Sequence, residues 1–339
     1  MSVLWFNLLA DGRAVAVVLA AVLDRVVGDP WGWPHPVQAI GQVISWGTKG
    51  VLRLKVSPVG ERSLGVGLGL GVILGSGLVG WGLVRLSGMI HPVVGMGCTV
   101  VLLASCFAGR SLRRAAEDVL VPLTTGDIPT ARERLALYVG RDTENLDEPE
   151  ILRAVFETVS ENATDGVLAP LFYALVGAFL PWGSVPVALA YKAASTLDSM
   201  VGYREAPYTY VGWFSARLED GLTWLPCRLT VLTIALLSGR PRPVLRLCRR
   251  DAPADPSPNA GWSECAYAAA LGVQLGGRNV YRGQVKEKPL LGDATVPITG
   301  DRILAALALT RRAALLWLAL GVTLLVLRAW LQLRSTSVI

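Results

Sequence analysis

The 339-residue chain is 52% hydrophobic and 17% charged, against roughly 25% charged in an ordinary soluble domain, and its mean hydropathy is +0.47. Disorder, collagen-like repeats and a small disulfide scaffold are excluded, because apolar residues abound, the 36 glycines and 20 prolines follow no strict period, and the five cysteines are odd in number and scattered. A net charge of +6, from 32 Lys+Arg against 26 Asp+Glu, is too mild for a nucleic-acid binder and fits basic loops on one side of a membrane.

A membrane helix needs about 20 mostly apolar residues. The first apolar run, 14–23, has only ten, and Asp24, Arg25 and Asp29 follow it where a signal peptide would need a small-residue cleavage site. Residues 63–84 and 86–109 are uncharged intervals long enough to cross. The glycines at 65, 67, 69, 71, 75, 77 and 80 form a small-residue stripe in the first of these, a sign of close helix packing rather than phosphate binding. Residues 111–138 and 149–165 carry helical periodicity, and alternating strand patterns are almost absent. Residues 166–191 are again uncharged, but Pro170, Pro181 and Pro186 would break one straight helix. The segment 221–239 is marginal because it contains Pro226 and Arg228. The last, 313–327, is framed by Arg312 and Arg328, with Trp317 and Trp330 suited to the interfaces.

These elements predict an all-α, polytopic integral membrane protein forming a single domain over 1–339, with four to six membrane segments. Residues 110–165 are expected as a helical cytoplasmic loop and 240–312 as a second cytoplasmic loop. Loops 24–62, 110–165 and 240–312 hold 24 of the 32 Lys+Arg, which places them in the cytoplasm by the positive-inside rule. A four-span arrangement is preferred, in which 166–191 and 221–239 dip in and return.

Several stretches can carry chemistry. In Glu157-Thr-Val-Ser-Glu161-Asn-Ala-Thr-Asp165-Gly, three carboxylates stand at i, i+4 and i+8, on one helical face. Like charges at that spacing repel, and Mg²⁺ bound by hard oxygens would relieve them. The competing reading is a solvated acidic face paired with Arg153. Downstream, Lys192, Asp198 and Arg204 lie among small hydroxyl residues that can hold a phosphate or simply anchor a helix end. Trp213, Arg217 and Asp220 share a face, so Arg217 either clamps a phosphate or pairs with Asp220. Asp29 and His35 sit in a rigid loop, Gly28-Asp29-Pro-Trp-Gly-Trp-Pro-His35-Pro, and Asn259 in another, rich in turn formers, ending at Trp262. His91, inside an apolar segment, reads as a hydrogen-bonded structural residue. Walker A, H-E-x-x-H, C-x-x-C and G-x-S-x-G patterns are absent.

Taken in order, GDPWGWPHPVQAIG (28–41), VGRDTENLDEPEILRAVFETVSENATDGVLAPLFYAL (139–175), TLDSMVGY (196–203), GWFSARLEDGLTWLPCRLT (212–230), PSPNAGW (256–262) and ALGVQLGG (270–277) closely resemble the CobD/CbiB family. The resemblance covers about residues 20–285; Asp255 departs from it, standing where the family pattern carries His. It implies an adenosylcobinamide-phosphate synthase of cobalamin biosynthesis, joining adenosylcobyric acid to (R)-1-amino-2-propanol O-2-phosphate at the expense of ATP. Under that resemblance Glu157, Glu161 and Asp165 hold Mg²⁺, and Lys192, Arg204 and Arg217 take phosphate oxygens. Asp198 serves as base, and Trp213, Asn259, Asp29 and His35 contact or enclose the corrinoid. Expected partners are the two substrates, the bilayer of the inner membrane, later pathway enzymes and a second copy of the chain, but no nucleic acid. A transporter, or an Mg²⁺-dependent transferase acting on phosphorylated lipid, is the alternative that the acidic face and broken apolar segments leave open.

Overall fold

A computed structural model describes residues 12–28 and 35–336. Those residues are predominantly helical and fall into two compact units, one comprising residues up to 108, 170–222 and 315 onward, the other 109–169 and 223–314. Asp29 lies outside the described residues.

The first unit contains α1 (Arg13–Val26), α2 (Pro36–Arg53), α3 (Pro58–Ile90) and α4 (Pro92–Ala104). Both histidines, each followed by proline, begin helices: Nδ1 of His35 accepts from the Val37 amide at 3.3 Å, and Nδ1 of His91 from the Val93 amide at 3.2 Å. Proline at the first helical position needs no amide partner, and the ring nitrogen satisfies one that does. The same unit holds α8 (Ala169–Phe179) and α9 (Ser184–Val201), numbered after three helices of the second unit. Residues 166–191 are thus broken at the turn containing Pro181, as the prolines predict. Tyr173 and Tyr191 stack across this helical hairpin with centroids 4.6 Å apart. Arg13 donates to the carbonyls of Ala178 and Leu180 at 3.0 and 2.8 Å, and Arg328 to that of Phe179 at 2.6 Å, so two arginines satisfy carbonyls that the end of α8 leaves without helical partners.

Helix α9 packs along α3, and the glycine stripe explains how. Gly65, Gly69, Gly77 and Gly80 are buried. A Cβ on Gly65 would strike the Val211 carbonyl, and one on Gly77 would come within 3.0 Å of the Pro186 carbonyl. Gly67, Gly71 and Gly75 face open space. Only one helical face of the stripe therefore serves packing, which in lipid depends on backbone approach rather than on expelling water. Ile40, Ile44, Val72, Ile73, Ala194 and Leu197 fill the core beside it.

The second unit contains α5 (Gly109–Thr124), α6 (Ile128–Leu135), α7 (Glu148–Asn162) and a π-helical turn (Ala163–Leu168), followed by α11 (Pro241–Asp251) and α12 (Ala260–Leu271). Helix α7 starts on Asp147, whose carboxylate accepts from the Glu150 amide at 3.0 Å, with Glu148 and Glu150 in the first turn where the helix dipole favours acid. The last helix, α13 (Gly300–Thr336), runs through both units.

An antiparallel hairpin, β1 (Leu275–Tyr281) with β2 (Gln284–Leu291), is the one sheet among the described residues. Its turn, Arg282-Gly283, has positive φ at both positions, and the Asp142 carboxylate accepts both amides, at 2.9 and 2.7 Å. Sequence pattern missed it because Gly276-Gly277 opens β1, and Lys286-Glu287-Lys288-Pro289 supplies no apolar alternation in β2.

Four stretches among the described residues are long and apolar enough to cross a membrane: Pro58–Ile90, Pro92–Thr124, Trp213–Leu237 and Gly300–Gln332. The second is interrupted at residues 105–108, between α4 and α5. The chain is accordingly an all-α polytopic membrane protein. The third corrects the expectation that 221–239 dips and returns: α10 (Trp213–Leu237) is continuous. Pro226 removes the amide that would bond the Leu222 carbonyl, and the Tyr173 hydroxyl donates to that carbonyl instead, at 2.9 Å.

Replacing Gly65 with Val should destabilise the protein by about 1–3 kcal/mol, lowering its melting temperature in detergent, whereas Gly71→Val, with nothing within 4 Å of the new Cβ, should leave it unchanged.

Candidate active site

The second unit gathers most of its buried charge around α7. Glu157 is 2% exposed. One of its carboxylate oxygens accepts from Arg141, and the other from Arg153 at 2.9 Å and from the Gly276 amide at 3.0 Å. Asn279 ties the two arginines together, its Oδ1 accepting from each at 2.9 Å, and Arg153 also donates to the Gly276 and Arg278 carbonyls. Burial pushes the Glu157 carboxyl up, but Arg141 and then Arg153 outweigh it and hold the group below the usual carboxylate range. Glu157 thus pairs with Arg153 as the acidic-face reading allows, though in a buried network rather than a solvated one.

One turn further along the helix the balance reverses. Glu264 of α12 is fully buried, and its Oε1 faces Nζ of Lys288, from β2, at 3.3 Å. Its Oε2 has no hydrogen-bond partner among the described residues, and neither has Oδ2 of Asp255. Burial raises the Glu264 carboxyl well above its ordinary value; Lys288 opposes the shift, while Glu161, Glu157 and Asp255 add to it. Glu161, partly accessible, is raised by burial as well, again against Lys288 and with Asp255 and Glu157 reinforcing. Lys288 is itself held protonated: burial disfavours its charge, but Glu264, Glu157, Glu161 and Asp255 prevail. Four buried or half-buried carboxylates here, with the more exposed Glu150, face three cations; Arg141 is given to Glu157, and Arg153 is shared between Glu157 and Glu150.

Of the residues singled out from sequence, Glu157, Glu161, Asp165 and Asn259 belong to this unit. Asp165 lies half-buried in the π-helical turn, and π turns inserted in helices are frequent at functional sites. Asn259 is 4% exposed, and its Oδ1 accepts from Arg228 at 3.1 Å. His35, Lys192, Asp198, Arg204, Trp213 and Arg217 belong to the other unit. There His35 caps α2. Lys192 and Asp198 are half-buried on α9, and Gly202 sits so close to Asp198 that a Cβ would meet its carboxylate. Arg204 is exposed, Arg62 lies 5.4 Å over the Trp213 ring, and Arg217, 63% exposed, pairs with Asp220 at 3.7 Å. That last contact is a solvated ion pair of small energetic worth.

Sequence reasoning missed Arg141, Asn279, Glu264 and Lys288. Glu264 carried a readable signal, a single carboxylate in the apolar run Cys265–Ala270 and its approach; Lys288, in a run of alternating charges, carried none.

The carboxylates can hold a proton or a cation. Among the described residues no three His, Cys, Asp or Glu side chains stand together at metal-coordinating spacing. Mg²⁺ does not need three, since it keeps waters and bridges one or two carboxylates to phosphates. Glu157 has spent its oxygens, whereas the unpartnered oxygens of Glu264 and Asp255, beside the accessible Glu161, suit such an ion.

A family model described as "CobD/Cbib protein" matches residues 17–310. The chain is 54% identical to the cobalamin biosynthesis protein CobD of Synechocystis sp. over 316 residues, 92% of each chain. It is 42% identical to the cobalamin biosynthesis protein CbiB of Salmonella arizonae over 94% of this chain and 98% of that one. With CobD of Klebsiella pneumoniae the identity is 41%, over the same two shares. No solved structure matches.

Glu157→Gln should leave two buried guanidiniums underpaired and destabilise the protein by about 3–5 kcal/mol in denaturant unfolding. The pH effect of Glu264 has the opposite sign. A carboxyl raised in the folded state binds a proton the unfolded chain has released, so stability should fall as pH rises from about 4.3, the unfolded value. Glu264→Gln should flatten that decline in melting temperature between acid and neutral pH.

Proposed function

We propose, because the chain belongs to the CobD/CbiB family of cobalamin biosynthesis proteins, that it is adenosylcobinamide-phosphate synthase. In this reading it is an ATP-dependent ligase forming an amide between adenosylcobyric acid and (R)-1-amino-2-propanol O-2-phosphate. The observation that carries the reading is the extent of the family match, 17–310. The charged network around α7, on the stretch with the longest family motif, supports it.

A carboxylate is a poor electrophile, so ATP would first phosphorylate the corrinoid propionate and the amine would then displace phosphate from the acyl phosphate. Mg²⁺, when bound, supplies charge neutralisation on the transferred phosphoryl group. Glu161 is the member of the predicted Glu157, Glu161, Asp165 set best suited to hold it, with Glu264 and Asp255 beside it and Asp165 acting through water. Glu157 serves that site by fixing Arg141, Arg153 and the Gly276 backbone. Lys192, Arg204 and Arg217 are assigned to phosphate oxygens, and Asp198 to accepting the proton the ammonium must lose. Trp213, Asn259, Asp29 and His35 are assigned to the corrinoid side. His35 uses Nδ1 as a helix cap. The enzyme is placed in the inner membrane with its basic loops cytoplasmic, where later pathway enzymes and a second copy can dock.

The test is a mass-resolved assay of the protein in nanodiscs with adenosylcobyric acid, ATP, Mg²⁺ and aminopropanol phosphate, omitting each in turn. Product should require all four; folded protein that forms none and binds no corrinoid would overturn the reading. Glu161→Gln should raise the Mg²⁺ needed for half-maximal turnover by at least about 10-fold.

A further inference from the structure

Arg228 has no role in the sites described above, yet it is among the most constrained cations of the second unit. It lies in α10, nine residues before Leu237 and fifteen after Trp213. At 1.5 Å per residue it is about 14 Å from one helix end and about 22 Å from the other. That is too deep in a membrane-length helix for an arginine that merely anchors an end. Its guanidinium lies over the Trp224 ring at 5.2 Å and over the Trp262 ring at 4.6 Å. Nη1 donates to Oδ1 of Asn259 at 3.1 Å, and the Asn259 carbonyl in turn accepts from Sγ of Cys227 at 3.2 Å. Two sequence stretches far apart, 212–230 and 256–262, meet at this one side chain.

Among the described residues no carboxylate makes a direct ion pair with Arg228, although Arg141, Arg153, Arg217 and Arg250 each have one; Asp165, whose charge acts on the neighbouring Cys227, bears on it only from a distance. Indole contacts spread over the guanidinium and Asn259 fixes its in-plane rotation, so the remaining N–H groups keep a set direction. The group is half-buried and Trp224 is 51% exposed, so the arrangement is not sealed within the protein. A charged side chain at such depth is expensive unless an anion completes it.

We infer that Arg228, held by Trp224, Trp262 and Asn259, is an oxyanion-binding site that takes a phosphate group. It rests on the ligase reading only for which phosphate arrives, that of a soluble substrate or of a lipid headgroup. Asn259, assigned to the corrinoid side in that reading, is toward this phosphate a positioning residue, its Oδ1 directing the arginine.

The experiment uses the full chain labelled with 5-fluorotryptophan, the Trp224 and Trp262 resonances being assigned through Trp→Phe variants. Tripolyphosphate and inorganic phosphate are titrated in detergent, and phosphatidylglycerol is titrated into phosphatidylcholine nanodiscs. A saturable shift of the Trp262 resonance is expected. Arg228→Lys, which keeps the charge but loses the planar fork, should weaken it by at least ~10-fold. Asn259→Ala should weaken it with the arginine still present. A response to tripolyphosphate supports a soluble phosphate ligand, and a response to phosphatidylglycerol alone supports the site with a lipid source. No response in either arm by the folded wild-type chain, or equal binding by Arg228→Lys, overturns the proposal. Because no arm requires corrinoid or turnover, failure of the ligase reading would leave this result interpretable.

Discussion

A carboxylate withdrawn from water must be matched, and the second unit is organised around that requirement at Glu157. Its partners come from residue 141, from residue 153 on its own helix and from the backbone at 276. One side chain thereby ties together the loop before α7, the helix itself and the first strand of the hairpin. Such a network adds little net stability over an apolar core, but removing one member leaves the others stranded, which makes the geometry hard to deform. The hairpin is therefore attached to the site, and it brings Lys288 to Glu264 and Glu161.

The contrast between Glu157 and Glu264 shows how environment divides identical side chains between roles. Two guanidiniums hold the Glu157 carboxyl below its usual range; at Glu264 and Glu161 burial outweighs the one ammonium they share, and both carboxyls are raised. Carboxylates pushed apart in this way are what acid–base and cation-dependent chemistry requires. The first unit solves a different problem. Its long helix α3 approaches α9 through Gly77 and Gly80 and the Val211 backbone through Gly65, and arginines satisfy carbonyls at the end of α8 without water.

Much of this was readable from local pattern. Apolar run length marked three of the four candidate spans, Pro181 marked the break in 166–191, and the ordered motifs marked the family. Each signal is local, since a proline or an uncharged run acts on its own few residues. The continuity of α10 through Pro226 was not readable, because the hydroxyl that replaces the missing amide belongs to Tyr173, some fifty positions away. The glycine stripe was legible as packing, but which glycines pack depended on where α9 lies.

The residue types of the chain and their spacing settled the solvent it folds in, its helical class and its family, since hydropathy and helical periodicity are properties of short windows. Which carboxylate is neutralised and which is left needing a proton or cation was decided only in three dimensions. Arg141 reaches Asn279 across 138 positions, and Arg228 reaches Asn259 across 31. Charge compensation depends on distance in space, and spacing along the chain carries no trace of a partner that arrives from another element.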